Sequence, residues 1–187
     1  MKIKLLLLFK SIMLVSNING QTTANPVTDL LLSAYSERAY TSVPVTDQQI
    51  GTIISCGIKA PSARNLQPWK FTVIRDEPSM KEIIKDIVPG NVIIVISGTE
   101  SSTGTTPDFD CGLATESMFI AAHGLGLGAR IYGSPAGTVN ARREVFQIPA
   151  GYKAVMILRV GNVDKTVDAV SAASTRKKSE EIVNYKK

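Results

Sequence analysis

Apolar positions along this chain switch between helical and extended spacing, and the switches predict its elements. Asn25-Pro26 reads as a cap and first helical position opening the run PVTDLLLSAYS. VTDQQIGTIISCGIKA predicts a second helix: Thr46 and Gln49 make a capping box, and Ile50, Ile53, Ile54 and Ile58 share one face. Residues 70–75, KFTVIR, alternate as a strand, with Phe71, Val73 and Arg75 on one side and Thr72 and Ile74 on the other. EPSMKEIIKDIV predicts a third helix. NVIIVISG is a continuous β-branched run suited to a central strand.

Beyond the polar stretch GTESSTGTTP, residues 109–127 carry the longest helical pattern. It is apolar nearly all round, with Asp110 and Glu116 as its only charges, and predicts a helix buried in a core or between subunits. ARIYG, a helix around 138–146 and the strand KAVMILRVG follow, and the last dozen residues are polar and charged. Helices and strands mix without regular βαβ alternation, so the expected class is α+β. GLGLGAR (124–130) looks like a dinucleotide-binding loop, but it closes a helix and leads into a strand. Its glycines therefore predict a helix end and a tight turn rather than a phosphate cradle.

Composition narrows the function classes. The 187 residues suit one domain with a real core, and 44% hydrophobic with 20% charged is ordinary for a globular chain. The net charge of +5 suggests a nucleic-acid partner only until residues 1–20 are set aside. Those carry Lys2, Lys4 and Lys10 with no acid, and removing three positive charges leaves +2. The other cations are scattered apart from Arg176-Lys177-Lys178, a solvated tail or an anion site, and no nucleic-acid module is evident. Residues 1–20 follow the plan of a secretory signal: a basic start, an apolar run and Ile18 and Gly20 at the −3 and −1 positions. Export, to a periplasm for example, is the expectation. The alternative is a cytoplasmic chain whose apolar arm packs on a partner. Lys10 breaks the run, so no stable membrane anchor is expected. Cys56 and Cys111, each in an apolar helical pattern, read as buried free thiols, and one histidine, His123, leaves little material for a metal site or a Ser-His-Asp triad. His123 itself reads as a core or interface residue.

The chemistry concentrates in APSARNLQPWKF, residues 60–71. Pro61 and Pro68 stiffen a connection that offers Ser62, Arg64, Asn65 and Gln67 as donors and acceptors, with Trp69 as an apolar anchor. Upstream, SERAY places Ser36 and Arg38 after the first helix. Donors and fixed cations without a nucleophile suit a planar, anionic cofactor.

These segments resemble the nitroreductase family, small oxidoreductases dependent on flavin mononucleotide (FMN). APSARNLQPWKFTVI is similar to the family's A-P-S-x-x-N-x-Q-P-W-x-F segment, DCGLATESMFIAAHGLGLGARIYG to its interface helix and following strand, and RKKSEEIVNY to its closing segment. The likeness runs from about Leu30 to the C-terminus. It implies an α+β fold with a mixed sheet flanked by helices, and a homodimer built on the long central helix, within an FMN-binding domain spanning residues 25–187. It implies flavin and phosphate contacts at Ser36 and Arg38. Pro61, Ser62, Asn65 and Gln67 match a loop laid against the flavin by the partner subunit. Tyr132 and Gly133 match the strand end facing the reactive side of the ring, and Arg176 a phosphate-binding arginine. No side chain is implied as a catalytic residue, because the flavin carries the chemistry, and no metal is implied.

The implied reaction passes a hydride from NADH or NADPH through flavin N5 to a small-molecule acceptor, nitroaromatic, quinone-like or similar. Dehalogenation, flavin fragmentation, azoline oxidation, or a degenerate flavin-binding protein without catalysis are the alternatives on the same fold. Two departures bear on the choice. Where the family usually has Arg-Arg-Ser or Arg-His-Ser, this chain has Ala34, Tyr35 and Ser36. One lost charge-assisted bond of about 1.5–3 kcal/mol corresponds to roughly 10- to 100-fold in FMN affinity, unless Lys177 or Lys178 substitutes. DIVPGN is also too short for the extra flavin contacts of larger members, so a simpler, more open site is expected.

Overall fold

A computed structural model describes residues 25–100, 106–170 and 175–186; residues 1–20 lie outside the described residues. Among the described residues six α-helices run α1 (Pro26–Ser33), α2 (Asp47–Ile58), α3 (Glu77–Ile83), α4 (Pro107–Gly124), α5 (Ala136–Ala141) and α6 (Ser179–Ile182). Four strands are β1 (Trp69–Ile74), β2 (Val92–Thr99), β3 (Leu127–Tyr132) and β4 (Tyr152–Asn162), in the spatial order β1-β2-β4-β3. The α+β class holds. Every pairing among the described strands is antiparallel, where a mixed sheet was expected.

The VIIVI run makes β2 a central strand covered on both faces. Val92, Ile94 and Ile96 pack with Leu158 and Val160 beneath α2 and α4; Ile93 and Val95 pack with Ile157 beneath α3 and α5. Strand alternation divides the core in this way. The helix starts follow the sequence signals: Asn25 Oδ1 accepts from Val27 N at 2.9 Å, and Thr46 and Gln49 form their reciprocal box. Gly57 lets α2 close on α4, since a Cβ there would lie 2.7 Å from Met118 Cγ. After α4, Gly126 at φ +74° makes the tight turn into β3, as expected of the glycine run.

Two helices stop short of their patterns. Met80, Ile83, Ile84 and Ile87 are spaced as a helical stripe and all are buried, yet α3 ends at Ile83. The buried guanidinium of Arg159 draws the next turn away: Nη2 donates to the Asp86 carbonyl at 3.2 Å and Nε to Asn91 Oδ1 at 2.8 Å, while the ring of Tyr40 lies 4.1 Å beneath it. Helix α5 ends at Ala141 rather than continuing to Phe146. Asn140 clamps it to β4, its amide donating to the Ala154 carbonyl at 2.8 Å and accepting from the Ala154 N–H at 2.7 Å. Arg142 and Arg143 then pair with Glu82 and Glu100.

Helix α4 begins at Pro107 and ends at Gly124, so Leu127 belongs to β3. Its inner face, with Cys111, Ala114, Met118 and Ala122, is buried. Burial pushes the Cys111 thiol up to about 12; Cys56 is half-buried, and both cysteines are free. On its outer face Phe109 is 65% exposed and Glu116 is exposed, while Leu113 and Ile120 are half-buried. Beside it α1 buries no residue at all. No helix among the described residues is long and apolar enough to cross a membrane.

Candidate cofactor site

The residues singled out in the sequence gather at two places, near opposite ends of α4. At one end, Ser36, Arg38 and Arg176 line a cleft of about 350 Å³, which continues past Tyr35 into a second of about 210 Å³ lined by Glu116, Phe119, Ile120 and Ile131. Position in the fold explains the grouping. Glu37 N donates to the Ala129 carbonyl at 2.9 Å, so the loop after α1 runs along the outer edge of β3 and carries Ser36 and Arg38 with it. Arg38 Nη1 donates to the Ser36 carbonyl at 3.0 Å. Two guanidinium groups and a hydroxyl in a cleft are a donor set for an anion, best matched by a phosphate.

Neither unusual residue of this loop adds a donor. Ala34 has none, and the Tyr35 hydroxyl is committed to Glu37 Oε2 at 2.8 Å, a bond that raises its pKa. The residues lining the two clefts include neither Lys177 nor Lys178.

At the other end of α4 lies the 60–67 turn. Ala63 N donates to Asp110 Oδ1 at 3.1 Å, and Ser62 Oγ accepts from Gln67 N at 3.0 Å. Arg64, Asn65 and Gln67 stand at φ +53°, +55° and +48°, three of the four left-handed non-glycine residues found among the described residues. Such backbone costs about 1–3 kcal/mol per residue and persists where the surroundings over-determine it. Asp110 is one such constraint. It is 1% exposed, and its Oδ2 is buried with no hydrogen-bond partner among the described residues. Asn65 and Gln67 point outward, Gln67 Nε2 lying 3.3 Å from Asn65 Oδ1, and Pro61 is exposed.

The two groups do not meet within one chain. Asp110 holds the turn, whereas the Tyr35 ring lies 5.8 Å from that of His123. Along α4, Asp110 lies six positions from Glu116 of the cleft and thirteen from His123, about 9 and 20 Å at 1.5 Å per residue. The Tyr132 side chain joins neither group. It packs with Ala136 and Val139 on the α5 face of the sheet, under the Arg130 guanidinium at 4.7 Å, and Ile131 is the β3 residue that lines the cleft. Gly133 follows the strand, and its carbonyl accepts from Ala136 N at 3.1 Å. Glu37, Asp110 as an anchor, and Ile131 are missing from the sequence reading. A glutamate between a serine and an arginine reads as solvated, and nothing in the sequence marks it as buried.

The sequence model of the Nitroreductase family matches residues 31–92 and 87–162. This chain belongs to the nitroreductase family. A relative from Methanothermobacter thermautotrophicus, named "Putative NADH dehydrogenase/NAD(P)H nitroreductase", is 30% identical over 157 residues, covering 78% of this chain and 82% of that protein. The NADPH-flavin oxidoreductase of Vibrio harveyi is 24% identical over 163 residues, covering 75% of this chain and 67% of that one. Among solved structures, a "putative nitroreductase in complex with FMN" from Desulfovibrio desulfuricans superposes with a TM-score of 0.75 at 27% identity, covering 88% of this chain and 99% of that one.

His123 is the titratable group set between the cleft and the core of this nitroreductase-family chain. Its ring meets Phe119 edge-on at 4.7 Å, and its Nε2 is buried without a partner. Burial lowers its pKa from the ordinary 6.5, against a hydrogen bond with the Tyr35 backbone and the charge of Glu37, which act the other way. The unfolded chain therefore takes up this proton at a higher pH than the folded one. Stability contributed by neutral His123 is complete above about pH 6.5 and falls as pH drops through and below that value. Urea midpoints at pH 7.5 and 5.5 test this. His123→Phe is expected to flatten the difference, and an equal drop in both proteins would assign it to other groups.

Proposed function

We propose that this chain is an FMN-dependent oxidoreductase that takes electrons from NADH or NADPH and passes them to a small acceptor such as a nitroaromatic or quinone-like compound. The working unit is a homodimer. The observation that carries this reading is the split site. An anion cleft and a strained polar turn meet α4 at different points, the cleft at Glu116, Phe119 and Ile120 and the turn at Asp110, and Phe109 stands exposed on the outer face of the helix. A second copy docked on that face brings its turn toward the first copy's cleft. The FMN-bound structure from Desulfovibrio desulfuricans and the NAD(P)H-linked names of the relatives support the cofactor and the donor.

In this reading Ser36, Arg38 and Arg176 bind the phosphate. Pro61, Ser62, Asn65 and Gln67 of the second copy meet the ring, their donors already aligned by the stiff backbone. Gly133, beyond which no neighbour lies within 4 Å of an added Cβ, leaves open space at the end of β3. Bound FMN supplies the redox chemistry, exchanging hydride and electrons with donor and acceptor in turn. No protein acid or base is assigned, because the donor's hydride needs none.

The test is the absorption spectrum of purified protein with added FMN, followed by anaerobic titration with NADH and NADPH and then an acceptor. Flavin bands that bleach with reduced nicotinamide and return with a nitroaromatic or quinone support the proposal. A chain that binds no FMN refutes it. Bound FMN that no reduced nicotinamide bleaches would favour the degenerate flavin-binding alternative, to which Ala34 and the committed Tyr35 hydroxyl lend weight.

A further inference from the structure

Between the two cleft residues Ser36 and Arg38 stands a carboxylate that the cofactor reading leaves unused. Glu37 is 0% exposed. Its Oε1 accepts from the Arg38 N–H at 2.7 Å and the Ala39 N–H at 2.8 Å, and its Oε2 accepts from the Tyr35 hydroxyl at 2.8 Å. Room for it is made by Gly128 of β3, where a Cβ would lie 2.5 Å from Glu37 Cγ. A carboxylate is costly to bury unless its oxygens are paired, and a glutamate with no role here would point to water. This one is wrapped by the segment it belongs to, from Tyr35 to Ala39.

We propose that Glu37 is the positioning residue of the anion cleft. Its carboxylate closes residues 35–39 into the single conformation that sets Ser36 and Arg38 against the flavin phosphate. The inference rests on the FMN reading. It also accounts for Tyr35. Where relatives of this fold usually present a cation to phosphate, this chain spends the position on a hydroxyl that fixes Glu37. One direct contact is exchanged for a turn held rigid before the ligand arrives. A preformed turn pays less ordering cost on binding, which offsets part of the lost contact.

The experiment compares FMN dissociation constants of folded variants, monitored by flavin fluorescence. Glu37→Met keeps the volume and removes every acceptor; Glu37→Gln keeps an oxygen for the two backbone N–H groups. Expected are an affinity loss of tenfold or more (about the worth of one to two hydrogen bonds) for Glu37→Met, and a change within about threefold for Glu37→Gln. Since Glu37 acts through Arg38, Glu37→Met is expected to add little to Arg38→Ala in the double variant, where independent sites would multiply. Wild-type affinity in Glu37→Met, or full multiplication with Arg38→Ala, overturns the inference. If Glu37→Met does not fold, Tyr35→Phe carries the test by removing one donor to the carboxylate. A weaker affinity that Arg38→Ala masks supports the inference, and an unchanged one overturns it. A wild-type chain that binds no FMN sinks the cofactor reading and this inference together, whereas wild-type binding with indifferent Glu37 variants sinks the inference alone.

Discussion

Phe109→Glu is expected to yield a chain that neither dimerises nor holds FMN. Phe109 projects from the outer face of α4 at 65% exposure, one turn before Leu113, and Leu32 of the neighbouring α1 is 87% exposed. Val27 and Leu31 of α1 are exposed as well, and large exposed apolar side chains on adjoining helices are what a surface built for a second copy would present. In a two-fold dimer one substitution changes both halves of the interface. Burying a phenylalanine is worth about 1.5–3 kcal/mol, and a glutamate in its place adds a desolvation cost. Two copies together then cost at least about 3–6 kcal/mol, or roughly two to four decades in the dimer dissociation constant. On the two-copy proposal the flavin is expected to be lost with the dimer, because the turn that would reach it comes from the other copy. Sedimentation and flavin absorbance on the same samples decide the matter. A Phe109→Glu monomer that binds FMN with wild-type affinity would confine the site to one chain and end the two-copy reading.

The elements were legible where a local signal and the tertiary demand agreed. The capping box at Thr46–Gln49, the run VIIVI and the glycines after α4 each specify a backbone by their own chemistry, and each stands where expected. The apolar spacing of α3 and α5 continues past the ends of both helices; what stops them is Arg159 reaching Asp86, and Asn140 reaching Ala154. Those contacts are 73 and 14 residues apart, and no window of sequence displays them. The site divides in the same manner. Ser36, Arg38 and Arg176 were found by resemblance, and the fold gathers them in one cleft. Tyr132 was carried over with the same motif, yet strand alternation turns its ring to the opposite face and gives the cleft Ile131. Glu37 carries no local mark, because its burial depends on the absence of a side chain at Gly128, some ninety positions away.

The 60–71 segment carries the other large effect, and its two halves are expected to fail differently. Trp69 is buried and stacks on Phe71, their ring centres 6.2 Å apart and 13° from parallel. Trp69→Ala is expected to cost about 3–5 kcal/mol of stability. At roughly 2–4 °C per kcal/mol for a domain of this size, the melting temperature should fall by about 6–20 °C. Asn65 asks for a different substitution. It stands at φ +55°, so alanine would add backbone strain to the loss of the amide, whereas glycine accepts that conformation. Asn65→Gly is therefore expected to melt within a few degrees of wild type while weakening FMN by about tenfold, the worth of one hydrogen bond to the flavin ring. The local loss is small, since Gln67 Nε2 keeps the Asn65 carbonyl at 3.3 Å as an acceptor. Thermal melting and FMN titration of both variants separate the proposed roles, in which Trp69 and the prolines hold the turn in place and the amides serve the cofactor. If Asn65→Gly binds FMN as wild type does, the strained backbone of this turn serves packing against Asp110 alone, and Asn65 leaves the site.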